Sequence, residues 1–330
     1  MNGLKKCSDK EHECAAQSVS NVYDNKEVAT SFNLVAGTAW LFSRPEHDQA
    51  FDHLFVDEAG QVSLGHLAAM STCAQNVVLI GDQMQLSQPI QGTHPGESGL
   101  SALDYLLKDY ATIPAERGVF LDVTRRMHPD VCEFISDAVY EGRLHSDPSC
   151  SARQLVLRPG ADPALKASGL SWVPVSHQDR KQRCEEEGTR IVEIFTSLLN
   201  QRWIESVGKE RPLTVDDILV VSPYNMQVNL LQGVLPDGAR VGTVDKFQGQ
   251  EAPVVIVSMT ASSAADVPRG MEFLYSRNRL NVAISRAKSL SIIVASPLLL
   301  EATCSKVEQM ALVNTLCHAR ASALSISGLN

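Results

Sequence analysis

Seven short apolar runs punctuate the chain: "NLVAGTAWLF", "HLFV", "NVVLIG", "GLSWVPV", "ILVVSPY", "PVVIVSMT" and "LSIIVAS". Segments with helical spacing separate them, so the pattern predicts an α/β fold of parallel sheets with crossover helices. Two helices can be argued individually. After "RMHP", Pro129 suits a first helical turn, and Val131, Phe134, Ile135, Ala138 and Val139 make one apolar stripe that stops near Gly142. Glu185, Glu186 and Glu187 favour a helix N-terminus, ahead of Ile191, Ile194, Phe195, Leu198 and Leu199 on one face. The first thirty or so residues are polar and weakly patterned, suiting at most a helix. Residues 145–168 and 204–214 read as loops, and the Leu, Ala and Ser content of 299–330 suits a terminal helix. "KDYATIPAERG" separates two groups of strands, which predicts domains at 1–112 and 113–330.

Composition narrows the class. With 330 residues, 44% hydrophobic and 20% charged, the chain can fill one large core or two adjoining ones and is not disordered as a whole. A net charge of −9 excludes a uniformly basic coat but leaves room for a local basic channel. The eight cysteines include no C-x-x-C pair, so neither a zinc ribbon nor a disulfide framework is legible. Free thiols fit a reducing, cytoplasmic setting. The N-terminus has no apolar segment of the signal-peptide kind, and no apolar run is long enough to span a bilayer.

Candidate chemistry sits at the ends of the apolar runs. In "HLFVDEAGQ", Asp57 and Glu58 emerge at the carboxyl end of a strand, where α/β folds place their ligands. There Asp57 can hold Mg²⁺ and Glu58 can orient a water, although a solvated strand end reads the same way. "NVVLIGDQMQL" puts Gln85 beside them if the two strands are neighbours; alone, Gly81 and Asp82 also make an ordinary tight turn. Arg125 and Arg126 precede the helix at Pro129 and suit either an arginine finger or an exposed basic pair. Arg279 and Arg286, seven apart, share a helix face that can equally be a salt-bridged stripe. The stretch "RVGTVDKFQGQEAPVVIVSM" crowds Thr243, Asp245, Lys246, Gln248, Gly249, Gln250 and Glu251 between two apolar strands. That is too many polar groups for a plain turn, and they offer donors for phosphates and a carboxylate for a ribose hydroxyl.

Taken in order, "GTAWLF", "VDEAGQ", "GDQMQL", "RRMHP", "SPYNMQ", "VGTVDKFQGQE" and "RLNVAISRAK" resemble the motif series of superfamily 1 helicases, over roughly residues 33–298. Order and spacing are similar to the subgroup holding the nonsense-mediated-decay RNA helicase and the Dna2-type DNA helicases. The resemblance implies two RecA-like domains, ATP with Mg²⁺ in the cleft between them, and a single strand across their top, DNA in preference to RNA, tracked 5′ to 3′. It implies that Asp57 and Glu58 are the Mg²⁺ and water-orienting pair and Gln85 the γ-phosphate sensor. Arg126 and Arg286 match the arginine fingers, and Gly249 and Glu251 match the loop beside ribose and γ-phosphate. Thr38 and Thr243 match contacts to the nucleic-acid backbone. Arg125 departs from the decay helicase, in which a Tyr stacks on adenine at that position; a guanidinium plane can stack there too.

A second departure is larger. Such helicases carry a Gly-Lys-Thr phosphate loop upstream of the Asp-Glu motif, whereas the only Gly-Lys here, Gly208-Lys209, precedes Glu210 in the second domain. The expectation is an incomplete first RecA-like domain, with an exposed apolar sheet edge, followed by a complete second one. The expected activity is that of a motor portion hydrolysing ATP poorly by itself. It would be completed by an upstream phosphate-loop or nuclease segment, or by a separate chain. The alternative is a module that binds nucleic acid or a partner without turnover.

Overall fold

The computed structural model describes residues 2–28, 31–87, 92, 94–108 and 110–325 and divides the chain into two compact units, Met1–Tyr110 and Ala111–Asn330. Asp109, within the expected junction, and residues 326–330, at the end of the expected terminal helix, lie outside the described residues.

In the first unit, strands β1 (Gly3–Lys6), β2 (Val19–Val22) and β3 (Leu34–Ala36) form a parallel sheet in the order β2-β1-β3. The opening segment is therefore strand rather than helix. Only the first part of "NLVAGTAWLF" is extended; after Gly37 and Thr38 the chain turns into a one-turn helix, Ala39–Phe42. Strands β4 (Phe51–Val56) and β5 (Ala74–Leu79) form a separate parallel pair, with Phe55 opposite Val78 and Val56 opposite Leu79. Leu54 and Val56 are buried on a small core with Phe42, Met70, Cys73 and Leu103. On the opposite face Phe55 is 61% exposed and Val78 37%, so this pair of strands carries an exposed apolar face.

The second unit is built on a five-stranded parallel sheet. Its strands are β6 (Gly169–Pro174), β7 (Ile218–Val221), β8 (Arg240–Gly242), β9 (Ala252–Ser258) and β10 (Ala287–Ala295), in the order β8-β7-β9-β10-β6. All of β7 and β9 is buried, which explains the unbroken apolar spelling of "ILVV" and "VVIVS". The helix Glu185–Leu199 packs Ile191, Ile194, Phe195 and Leu198 on one face of this sheet. The helix Pro129–Val139 starts at Pro129 and buries its predicted stripe apart from the half-buried Ala138. Segments expected to be loops also pair: Gln154–Val156 joins the hairpin Arg202–Ser206/Lys209–Pro212. Trp203 anchors that hairpin, its indole N–H donating to Ser289 Oγ at 2.9 Å. The terminal helix runs Val307–Ser325, and no described helix is long and apolar enough to cross a membrane.

A buried polar group ties the carboxyl ends of the second sheet together. Glu187 Oε2 accepts from Ser258 Oγ at 2.6 Å and from the Thr260 N–H at 2.9 Å, while Oε1 lies 3.2 Å from His177 Nε2. His177 Nδ1 meets Ser262 Oγ at 2.8 Å, and that oxygen accepts the Arg180 N–H. Cys184, the N-cap residue, completes a His-Cys-Glu trio whose donor atoms lie within 4.8 Å of one another. The geometry does not ask for a metal: both carboxylate oxygens and both imidazole nitrogens already have protein partners. Burial also pushes the Cys184 thiol up, away from the thiolate a metal needs.

Candidate functional site

In the first unit the β4–β5 pairing brings the ends of "HLFVDEAGQ" and "GDQMQL" together. The Ala59 N–H donates to Ile80 O at 2.9 Å, and the Ile80 N–H to Val56 O at 2.8 Å. Two glycines permit this approach. A Cβ on Gly60 would stand 2.7 Å from Asp82 O, and one on Gly81 would stand 2.7 Å from Ala59 N, both rigid backbone atoms. Gly81→Ala is therefore expected to destabilise this turn pair by about 1–3 kcal/mol. Faster hydrogen exchange at the Ala59 and Ile80 amides would register the loss.

Asp57 and Glu58 are exposed at this strand end. Asp57 Oδ1 accepts the Glu58 N–H at 2.9 Å, leaving Oδ2 without a partner among the described residues. Glu58 takes a left-handed backbone (φ 52°), uncommon for a non-glycine residue, and its carboxylate accepts from Gln61 Nε2 at 3.1 Å. Strain of this kind clusters at functional turns. The Gln85 side chain donates to Asp82 Oδ2 at 2.9 Å, and Asp82 Oδ1 also receives the Met84 N–H at 2.9 Å, so Asp82 fixes this turn. An exposed carboxylate with an open oxygen fits a hard divalent cation. Asp57 would hold Mg²⁺, which would neutralise phosphate charge there.

In the second unit, residues far apart in sequence converge. Arg126 Nε donates to Glu251 Oε2 at 2.9 Å, its Nη1 reaches Ser285 O at 3.3 Å, and Lys288 Nζ lies 2.7 Å from Glu251 Oε1. Burial works to raise the Glu251 carboxyl, but Lys288 and then Arg126 hold it below its ordinary value. Arg286 caps the helix Arg277–Ser285 at its C-terminus and is only 2% exposed, with Nε on Val282 O at 3.1 Å and Nη1 on Gln250 O at 3.4 Å. It suits the helix dipole there. The two candidate arginines on this helix face thus divide: Arg279 pairs with Asp245 at 3.3 Å as a surface stripe would, whereas Arg286 is a buried cation. The pair Arg125–Arg126 divides likewise. The Arg125 side chain is 88% exposed with Asp147 at 3.8 Å, and the Arg126 side chain is 31% exposed. Gly249 has φ 77°, the left-handed backbone that glycine tolerates, directly before Gln250 and Glu251. Gly208-Lys209 lies at the turn of the Arg202–Pro212 hairpin, away from any strand-to-helix loop.

Thr38 is exposed at the start of the one-turn helix, and Thr243 is half-buried just past β8. Two residues join the candidates that sequence reasoning missed. Trp40, two residues past Thr38, is 73% exposed and meets the His66 ring edge-on at 5.5 Å; in the sequence it reads as part of an apolar run. Lys288 offered no signal, because its place beside Glu251 depends on a register shift between β9 and β10.

A family model described as an AAA domain matches residues 100–297. The chain is 28% identical over 285 residues to the DNA polymerase alpha-associated DNA helicase A of Schizosaccharomyces pombe, covering 81% of this chain and 41% of that protein. To the DNA replication ATP-dependent helicase/nuclease DNA2 of Gallus gallus it is 29% identical over 286 residues, covering 85% of this chain and 27% of that one. The chain thus spans less than half the length of both relatives. Among solved structures, the arterivirus nonstructural protein 10 helicase aligns over 81% of this chain and 43% of its own, at 18% identity and a TM-score of 0.41.

Proposed function

From the premise that this chain belongs to the AAA domain family, among the superfamily 1 helicases, we propose that it supplies the motor portion of an ATP-dependent helicase or translocase. That motor acts on single strands, DNA in preference to RNA, moving 5′ to 3′. The observation that carries the reading is the convergence of Arg126, Glu251, Lys288 and Arg286, drawn from three separate motifs, in the second unit. A guanidinium held at 2.9 Å by a carboxylate that is itself neutralised by Lys288 is a positioned cation, the group that stabilises charge developing on a transferred phosphoryl. In the first unit Asp57 holds the metal, Glu58 orients water, and Gln85, set by Asp82, senses the γ-phosphate. Arg125 and Gly249 flank the nucleotide. Thr38 and Thr243 meet the strand backbone, and Trp40 offers a face on which a base can stack. The preference for DNA is supported by relatives named as a DNA helicase and a DNA replication helicase/nuclease.

A second reading, a strand-binding module without turnover, is favoured by one observation: the only Gly-Lys pair is followed by Glu210 and sits in a hairpin turn. Mg²⁺-ATP hydrolysis by this chain, with and without single-stranded DNA, separates the two readings, with Glu58→Gln as control. We expect strand binding, weakened several-fold by Trp40→Ala, with little or no hydrolysis unless a chain supplying a phosphate loop is added. Stimulation by such a chain that Glu58→Gln abolishes would support the motor. Strand binding with no turnover under any of these conditions would leave the binding module.

A further inference from the structure

One aromatic ring in the second unit holds two guanidinium groups. Phe273 lies in a one-turn helix, Met271–Leu274, entered through Gly270 at φ 81°. Arg269 Cζ is 4.2 Å from the ring centroid and Arg279 Cζ is 4.4 Å from it. Each cation is attracted by the ring quadrupole, but two cations on one ring repel each other, so each needs an anion. Arg279 has Asp245 at 3.3 Å. Arg269 is exposed and has no carboxylate partner among the described residues, in a chain whose net charge is −9. Beside them, 5.7 Å from the Phe273 ring, stands the Tyr224 ring, whose buried hydroxyl has no hydrogen-bond partner among the described residues. Buried hydroxyls are normally paired, so an orphan here is a second sign that a group from outside the chain belongs to this place.

The location fits such a ligand. Tyr224 follows the carboxyl end of β7, and Thr243 and Asp245 follow that of β8. The chain passes outward from β7 to β8 and then returns across β7 to β9 and on to β10, so the connections leaving the carboxyl ends of the neighbours β7 and β9 run in opposite directions. Open α/β sheets bind ligands outside their carboxyl ends at such a reversal.

We propose that Arg269 and Arg279, held on Phe273, form a phosphate clamp for the backbone of a single-stranded nucleic acid, extending the grip of Thr243. The proposal rests on the strand-binding reading above. An exposed arginine lets a chain run through, whereas a free nucleotide is ordinarily enclosed. Guanidinium groups lie over the ring where a base would stack, so the clamp reads phosphate and not sequence.

The test is fluorescence anisotropy with a labelled oligo(dT) strand, from 50 to 200 mM salt, on the full chain. Arg269→Gln is expected to weaken binding about three- to fivefold at the low end. It should also reduce the slope of log affinity against log salt by about 0.7, one phosphate contact on a single strand. Arg269→Lys, which keeps the charge, should restore the slope. Arg202→Gln is the control for net charge, since Arg202 pairs with Glu210 in the distant hairpin. A slope for Arg269→Gln equal to that of Arg202→Gln overturns the clamp while leaving strand binding intact. Failure of the unaltered chain to bind the strand overturns both the clamp and the reading beneath it. Phe273→Leu gives a second check: it keeps an apolar side chain but removes the ring, and a loss smaller than that of Arg269→Gln is expected.

Discussion

Glu187→Ala is expected to cost the second unit about 3–5 kcal/mol, the penalty for removing one partner of a buried charged network. The Glu187 and His177 side chains are both fully buried, and the Ser258 hydroxyl, the Thr260 N–H and His177 Nε2 all converge on this one carboxylate. Without it, three buried polar groups lose their partner. Thr260 adds to the cost. Its φ of 71° is unfavourable for a β-branched residue, and the carboxylate's hold on its N–H, with Ser222 and Ser258 at its hydroxyl, supports that conformation. Glu187→Gln retains one acceptor oxygen and is expected to lose less, provided His177 changes tautomer, which Ser262 permits because a hydroxyl both donates and accepts. Urea unfolding checks the expectation: the midpoint should fall with an unchanged slope, as for a native-state loss. A loss under about 1 kcal/mol for Glu187→Ala would show that the network is dispensable.

Glu187 also marks what the sequence conceals. Three consecutive glutamates ahead of an apolar stripe read correctly as a helix N-terminus, because charge and periodicity are local signals. That the third of them is buried under β9 while the second faces Arg180 depends on the rotation of the helix against the sheet. The apolar strands of the second unit were legible for the same local reason: a run buried on both faces is mostly apolar, with only small hydroxyls such as Ser258 and Ser291 among it. The opening strands were not, since "GLKK" and "VSNV" are four residues each, and pairing of β1 with β2 and β3 rather than their own pattern fixes them. Among the candidate residues, the motif order brought out Arg126, Glu251 and Arg286 individually. Which arginine of each pair is held and which is exposed follows from packing: Arg286 closes a helix against Gln250 O, and Arg125 extends into solvent.

In a form of the protein that hydrolyses ATP, Arg126→Ala is expected to lower kcat by about 10³–10⁵, the range for loss of an arginine finger. The expectation rests on how little else Arg126 does. Its side chain is 31% exposed and its ion pair with Glu251 is solvent-screened, so folding should lose less than about 1 kcal/mol. Its Nε is fixed on Glu251 and its Nη1 on Ser285 O, while Nη2 has no partner among the described residues and is available to an incoming phosphate oxygen. Arg126→Lys should recover little, because a single ammonium cannot bind Glu251 and a phosphate through separate nitrogens in one plane. Glu251→Gln separates orientation from charge. It keeps an acceptor for Arg126 but releases Lys288, and should lower kcat less than Arg126→Ala while leaving strand affinity unchanged. Single-turnover hydrolysis on saturating strand measures this, with Arg125→Ala alongside. Because Arg125 is 88% exposed and would act on the base, its loss should raise KM and spare kcat. If Arg125→Ala instead abolished turnover and Arg126→Ala did not, the finger would have been assigned to the wrong arginine, and the Glu251 contact would be a structural tie and nothing more.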